Sequence, residues 1–176
     1  LPHPVVDCDN PWEGTAIGTL SVLYDEQSHE YRMWYLVTLQ RRICLATSTD
    51  GVNWTKPDLG DGTNIVQGDR VGDVFTVEHA PDGAWAEGAR FVACEFLKQL
   101  DPRANDVPGQ FPHGIYALRS DDGIKWRRHL PAVLPGQGDR TTIYWDPVEK
   151  RLMLLSRHLN RHAHADNGVR GAKRDI

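Results

Sequence analysis

Ser48-Thr49-Asp50-Gly51-Val52-Asn53-Trp54 returns later in the chain as Ser120-Asp121-Asp122-Gly123-Ile124-Lys125-Trp126. Each copy follows a short apolar run, Ile43-Cys44-Leu45-Ala46 in one case and Ile115-Tyr116-Ala117-Leu118 in the other. An Asp-Gly turn behind a β-rich run reads as strand, turn, strand. A hairpin that recurs at long spacing points to a radial or stacked repeat rather than one irregular core.

Working outward, three further segments show the alternation and turn chemistry of hairpins. They are Gly18 to Val37 around the turn Asp25 to Glu30, Val74 to Leu97 around a polar Gly-containing turn, and Thr141 to His158 around Asp146 to Lys150. The first two each precede one copy of the Trp-bearing turn. The order is hairpin, hairpin, linker, then the same again, with four strands per unit, the strand count of a propeller blade. The units fall at about 18–56, 74–128 and 141–176. Asp58 to Gly72 and Gln99 to His113 read as loops, and Gly and Pro interrupt every helical window. About two and a half blades cannot close a ring that needs roughly four to eight. The expectation is a partial propeller domain over residues 1–176, a piece of a longer ring. Copies completing each other's ring and an open stack of sheets are the alternatives, and an open ring leaves an apolar face for self-association.

Composition narrows the function classes. The chain has 176 residues, net charge −4, 40% hydrophobic residues, six Trp and five Tyr. That acidity gives nucleic-acid binding no basic face to work with. No apolar run approaches the roughly 18 residues that cross a bilayer, and Leu1-Pro2-His3-Pro4 does not read as a signal peptide. Cys44 and Cys94 sit in apolar runs and read as small buried thiols. With Cys8 they make an odd count that suggests neither a disulfide framework nor a zinc site. Asn53-Trp54-Thr55 is formally a glycosylation triplet but lies inside the repeated turn.

Tyr31-Arg32-Met33-Trp34-Tyr35, Ala46-Thr47-Ser48 with Asp50-Gly51 and Trp54, Lys56-Pro57, and Tyr144-Trp145-Asp146-Pro147 together resemble the β-propellers of the glycoside hydrolase family 32 and 43 group. The likeness runs from about residue 10 to 176. It implies an all-β fold, a β-propeller of four-stranded antiparallel blades of the five-bladed type. It also implies a carbohydrate ligand at the ring axis, met by carboxylates from several blades. The group's Trp-Met-Asn-Asp-Pro-Asn-Gly, Arg-Asp-Pro and Glu-Cys phrases have no counterpart; Asp9-Asn10-Pro11-Trp12-Glu13-Gly14 stands where the first would fall, and Cys94-Glu95 reverses the last.

Glycoside hydrolysis needs two carboxyl groups flanking the scissile bond. Residues just before each inner strand are best placed, which makes Glu13, Asp73 and Asp139 the candidate catalytic acids. Arg140 beside Asp139 suits a substrate clamp, because a cation keeps its neighbour ionised and grips hydroxyls. Asp9 joins Arg140 among candidate substrate-binding groups, with Trp12 as a ring-stacking platform and His79 and His113 as hydrogen-bonding partners. Asp50, Asp122 and Asp146 read as turn residues. His158, His162, His164 and Asp166 carry metal-ligand chemistry, but their spacing matches no template and Arg157, Arg161 and Arg170 oppose a cation. No metal and no cofactor is expected. The function expected is a glycoside hydrolase, secreted or periplasmic if it degrades glycans. A non-catalytic carbohydrate-binding or protein-interaction propeller is the alternative.

Overall fold

In the computed structural model the described residues are 5–38, 41–67, 74–80, 89–97, 114–130, 132–135, 140–156 and 173–175. Asp73, His113, Asp139 and the His158 to Asp166 cluster lie outside them. Within them the chain is all-β and antiparallel, with no helix.

Sheet one takes β1 (Ile17–Asp25), β2 (Glu30–Val37), β3 (Arg42–Ser48) and β4 (Ile65–Gln67) in that order. Sheet two takes β5 (Phe75–His79), β6 (Phe91–Leu97) and β7 (Gly114–Ser120), and two short pieces, β8 (Arg127–Arg128) and β9 (Leu134–Pro135), both pair with β7. Sheet three takes β10 (Thr142–Asp146), β11 (Arg151–Leu155) and β12 (Lys173–Asp175).

The repeated turns are matched atom for atom. Ser48 Oγ accepts from Gly51 N at 2.9 Å, and Ser120 Oγ accepts from Gly123 N at 2.8 Å. Asp50 Oδ1 takes the amides of Val52 and Asn53 at 2.8 and 2.7 Å; Asp122 Oδ1 takes those of Ile124 and Lys125 at the same two distances. Each Trp indole folds back to donate to the glycine carbonyl at 3.2 Å. The glycines both sit at φ +72°, a region open to glycine and costly for other residues.

The strand after this turn is shorter than the sequence suggests. Behind Trp54, Thr47 and Thr55 exchange one pair of backbone bonds, and Pro57 brings no N–H to continue the ladder. Asp58 then caps a tight loop through the amides of Gly60 and Gly62, and the chain returns as β4 inside the segment read as a loop. Sheet one thus extends to Gln67 rather than ending near Lys56.

The sheets stack face to face. Trp34, Leu36, Ile43 and Leu45 of sheet one meet Phe75, Val77, Phe91, Ala93 and Leu118 of sheet two. Sheet two turns Val92, Cys94, Phe96 and Ile115 toward Ile143, Leu152 and Leu154 of sheet three. β6 is therefore buried at every position, and its run FVACEFL is continuously apolar but for Glu95. Burial holds the Cys94 thiol up at about 12, consistent with an inert packing residue.

First strands lie side by side at both junctions. Ser21 Oγ accepts from Val77 N at 2.9 Å and Thr76 Oγ1 from Ile143 N at 3.2 Å; farther along, Glu78 Oε2 accepts from Trp145 N at 3.3 Å. Partners advance together along both chains, so β5 and β10 run parallel, as do β1 and β5, where His79 Nε2 follows at 3.0 Å from Tyr24 O.

One charged group pins the first junction. Asp25, closing β1, is 2% exposed and accepts from Gln27 N and Ser28 Oγ, with Arg32 Nε at 3.1 Å and the Arg90 guanidinium hydrogen-bonded to it. Burial pushes this carboxyl up, but Arg90, Ser28 and the Gln27 amide together hold it below its ordinary value. A depressed acid contributes stability that is complete above its unfolded pKa, about 3.9, and lost as pH falls through the folded one. Thermal melts from neutral to acid pH should therefore fall less steeply for Asp25→Asn than for the parent. Equal acid slopes would remove Asp25 from the acid response.

Candidate functional site

The face of sheet one turned away from sheet two is Met33, Tyr35, Val37, Cys44 and Ala46. The amino-terminal segment crosses it, laying Val6, Trp12 and Ile17 against these residues beside Trp54 and Ile65. Between that segment and the loop after β3 opens a cleft of about 350 Å³. Trp12, Trp54, Asp9, Lys56, Asp58 and Asn64 line it.

A continuous polar chain forms its floor. Trp12 Nε1 donates to Asn64 Oδ1 at 2.8 Å, and Asn64 Nδ2 donates to the Tyr35 hydroxyl and to Leu45 O, each at 2.8 Å. The Tyr35 hydroxyl donates in turn to Glu13 Oε1. Glu13 Oε2 accepts from Lys56 Nζ at 2.7 Å and from the amides of Asn10 and Asp9 at 2.9 and 3.1 Å. Lys56 also reaches Asp9 Oδ1 and the Asp7 carbonyl, so all three of its protons are engaged. Burial disfavours the Lys56 charge, but Asp9 and Glu13 outweigh it and raise its pKa; the Lys56 hydrogen bond holds Asp9 down. Burial and then the bond to Glu13 push the Tyr35 phenol well above its usual range, so it stays a donor.

Glu13 is 0% exposed and both its oxygens are bonded within the chain, Oε1 to Tyr35 and Oε2 to Lys56. Its place before β1 does not bring it to the first-strand edge; it turns under Tyr35 instead. Asp9 and Trp12 do come together at the cleft, and the Asp9 side chain is 70% exposed. His79 belongs elsewhere, at the end of β5, where its ring lies 5.6 Å from that of Phe91 and binds Tyr24 O across the sheet junction. Arg140 is exposed ahead of β10 at φ 52° and shares no contact with the cleft. Asp73, Asp139 and His113, the remaining candidates, fall outside the described residues.

Tyr35, Asn64 and Lys56 were not among the candidate site residues, although Tyr35 and Lys56 stand in the phrases that carry the family resemblance. Tyr35 and Asn64 carry no local signal, since each acts across more than 18 residues of chain. Lys56 had one: a cation stands two places after each repeated Trp, Lys56 and Arg128. Arg128 Nε bonds Glu95 Oε1, and Glu95 is fully buried on β6. Pairing Tyr31 with Ser48 and Phe91 with Ser120 puts Tyr35 and Glu95 at the same register position. Sheet two thus draws its buried acid from the strand itself, whereas sheet one places Tyr35 there and borrows Glu13. Burial pushes the Glu95 carboxyl up against the pull of Arg128.

The cleft offers two indoles, exposed carboxylates and an amide, on a floor whose hydrogen bonds are already satisfied. Such a site can stack an apolar ring face and accept hydroxyl protons at its edge. Of its acids, Glu13 is sealed beneath the floor and Asp9 is tied to Lys56. Compared with known proteins, the chain matches no protein-family model and no curated protein.

Proposed function

We propose that the chain is a carbohydrate-binding β-propeller segment of the five-bladed type, its sheets acting as successive blades, with a sugar held in the cleft beside Trp12. The observation that carries the reading is the locked Trp12 indole: its N–H is fixed by Asn64, and Asn64 by Tyr35, while Asp9 stands exposed at the rim. A preorganised aromatic platform with acceptors at its edge loses little freedom on binding a ring. The radial reading is supported by first strands that run parallel at successive junctions.

A glycan array on the intact protein, followed by calorimetry on the hits, tests this. Trp12→Ala should weaken the best hit by about fivefold, in keeping with roughly 1 kcal/mol for a stacked aromatic. Asp9→Asn should weaken it less. Absence of any glycan hit, or a hit indifferent to Trp12, ends the proposal.

Hydrolysis is the second reading, favoured by one feature: β5 and β10 run parallel side by side and begin at the same end, at Phe75 and Thr142. Asp73 and Asp139 precede these strands in sequence. Paired carboxylates there would be the acids of a glycosidase. Sugar release from the array hits, abolished by Asp139→Asn, would establish it; release that persists in Asp139→Asn and Asp73→Asn removes these acids, and no release from the parent rejects it.

A further inference from the structure

The cleft on sheet one is uneven in what it can give and take. Its side-chain donors are almost all spent inside the chain. The Trp12 indole N–H goes to Asn64 Oδ1, and that of Trp54 to Gly51 O at 3.2 Å. Both Asn64 amide protons go to the Tyr35 hydroxyl and Leu45 O, and the Thr63 hydroxyl donates to Asp61 Oδ1 at 2.8 Å. Lys56 divides its protons among Glu13, Asp9 and the Asp7 carbonyl. Of the lining side chains that donate, the Asn10 amide alone makes no bond among the described residues.

Acceptors are in surplus. Asp7, Asp9 and Asp58 are exposed residues of the lining. Asp9 uses Oδ1 for Lys56, and Asp58 uses Oδ1 for the Gly60 and Gly62 amides. The second oxygen of each is open among the described residues. Charge leans the same way: Asp7, Asp9, Asp58 and the Glu13 beneath them set four carboxylates against the one ammonium of Lys56. An indole whose N–H is tied back has only its ring to present, and the ring face is the negative part of its quadrupole.

Such a surface suits a ligand that donates and is positive. An ammonium has three protons to give and no lone pair to accept with, and aromatic faces and carboxylates both attract it. We infer, resting on the carbohydrate reading above, that the sugar carries a protonated amine set against Asp9 and Asp58, with its ring on Trp12. N-acetylation would remove the charge and two of the three protons. An acidic sugar meets like charge in the cleft, where the Lys56 ammonium is already engaged, and is repelled.

Calorimetry on the intact chain at mildly acid pH, where amine and carboxylates are both charged, compares oligomers of glucosamine, N-acetylglucosamine and galacturonic acid of equal length. The glucosamine oligomer should bind about tenfold tighter than its N-acetylated counterpart, and the galacturonate oligomer weakest of the three. Added salt should erode that preference. Asp9→Asn and Asp58→Asn keep the oxygens that receive Lys56 and the loop amides; each should cut the preference about threefold, and the pair should abolish it. Butylammonium, which carries the charge without the ring, should bind far more weakly than the glucosamine oligomer. Equal binding of the two glucosamine oligomers, or tightest binding of galacturonate, overturns the amine; if that binding still depends on Trp12, the carbohydrate reading stands without it. Butylammonium bound as tightly as the oligomer leaves the sugar ring idle and overturns the inference too. Silence from every oligomer ends both.

Discussion

Gly123→Ala should destabilise the protein by about 3–5 kcal/mol, against about 1–2 kcal/mol for Gly51→Ala, although both glycines hold one place in one motif. Their backbones are alike at φ +72°, so the conformational penalty of a Cβ is common to both. What differs is the surroundings. A Cβ on Gly51 would meet Tyr31 at 3.5 Å, an ordinary contact. One on Gly123 would fall 2.7 Å from Trp34 Cζ2 and 3.3 Å from Arg32 Nη1, because the second turn docks on β2. Trp34 cannot withdraw cheaply. It is fully buried, packed between Phe91 and Trp126, and its indole N–H donates to Gly123 O at 2.7 Å. Moving it overpacks the core, at roughly 1–3 kcal/mol, and strains a buried hydrogen bond of comparable worth. Arg32 adds a bond to Asp122 O that has no counterpart at the first turn among the described residues. Urea midpoints at fixed slope measure the difference. Equal losses would mean the docking of the second turn on sheet one contributes nothing.

The strands that sequence displayed best are those whose signals are local. The Asp-Gly turns at Asp50 and Asp122 hold their own amides within three residues, so their geometry is written in seven letters. The hairpin of β1 and β2 and that of β10 and β11 were likewise legible from alternation around a polar turn. β4 was not, because Ile65 to Gln67 is too short to show a period and pairs back across the capped Asp58 loop. The enclosure of Glu13 was not legible for a related reason. Its position in the chain suggested an inner-edge acid, but its partners Tyr35 and Lys56 stand 22 and 43 residues away. Only the packed face of sheet one reveals that the acid is enclosed. Asn64, the hinge of the cleft floor, reads in sequence as one more loop polar residue.

Lys56→Met should cost about 3–5 kcal/mol, the range for removing one partner of a buried ion pair. The loss comes less from the missing attraction than from Glu13, which stays buried under Tyr35 without its cation. The sign with pH follows from the raised Lys56 pKa. Its contribution is complete below the unfolded lysine value, about 10.4, and declines as pH rises through the folded one. At neutral pH the parent therefore keeps the whole of it, and the gap between parent and Lys56→Met should narrow only in alkali. Glu13→Gln added to Lys56→Met should recover part of the loss, since the neutral amide removes the buried charge and its one oxygen still accepts from the Asp9 and Asn10 amides while its NH2 turns to the Tyr35 hydroxyl. Lys56→Arg, retaining the charge, should cost less than either single removal. On the carbohydrate-binding proposal the same variants ought also to weaken sugar binding, because the chain from Glu13 through Tyr35 and Asn64 fixes the Trp12 indole. A Lys56→Met protein within about 1 kcal/mol of the parent would show the pair to be as weak as a solvated surface bridge. The floor of the cleft would then owe its rigidity to packing alone.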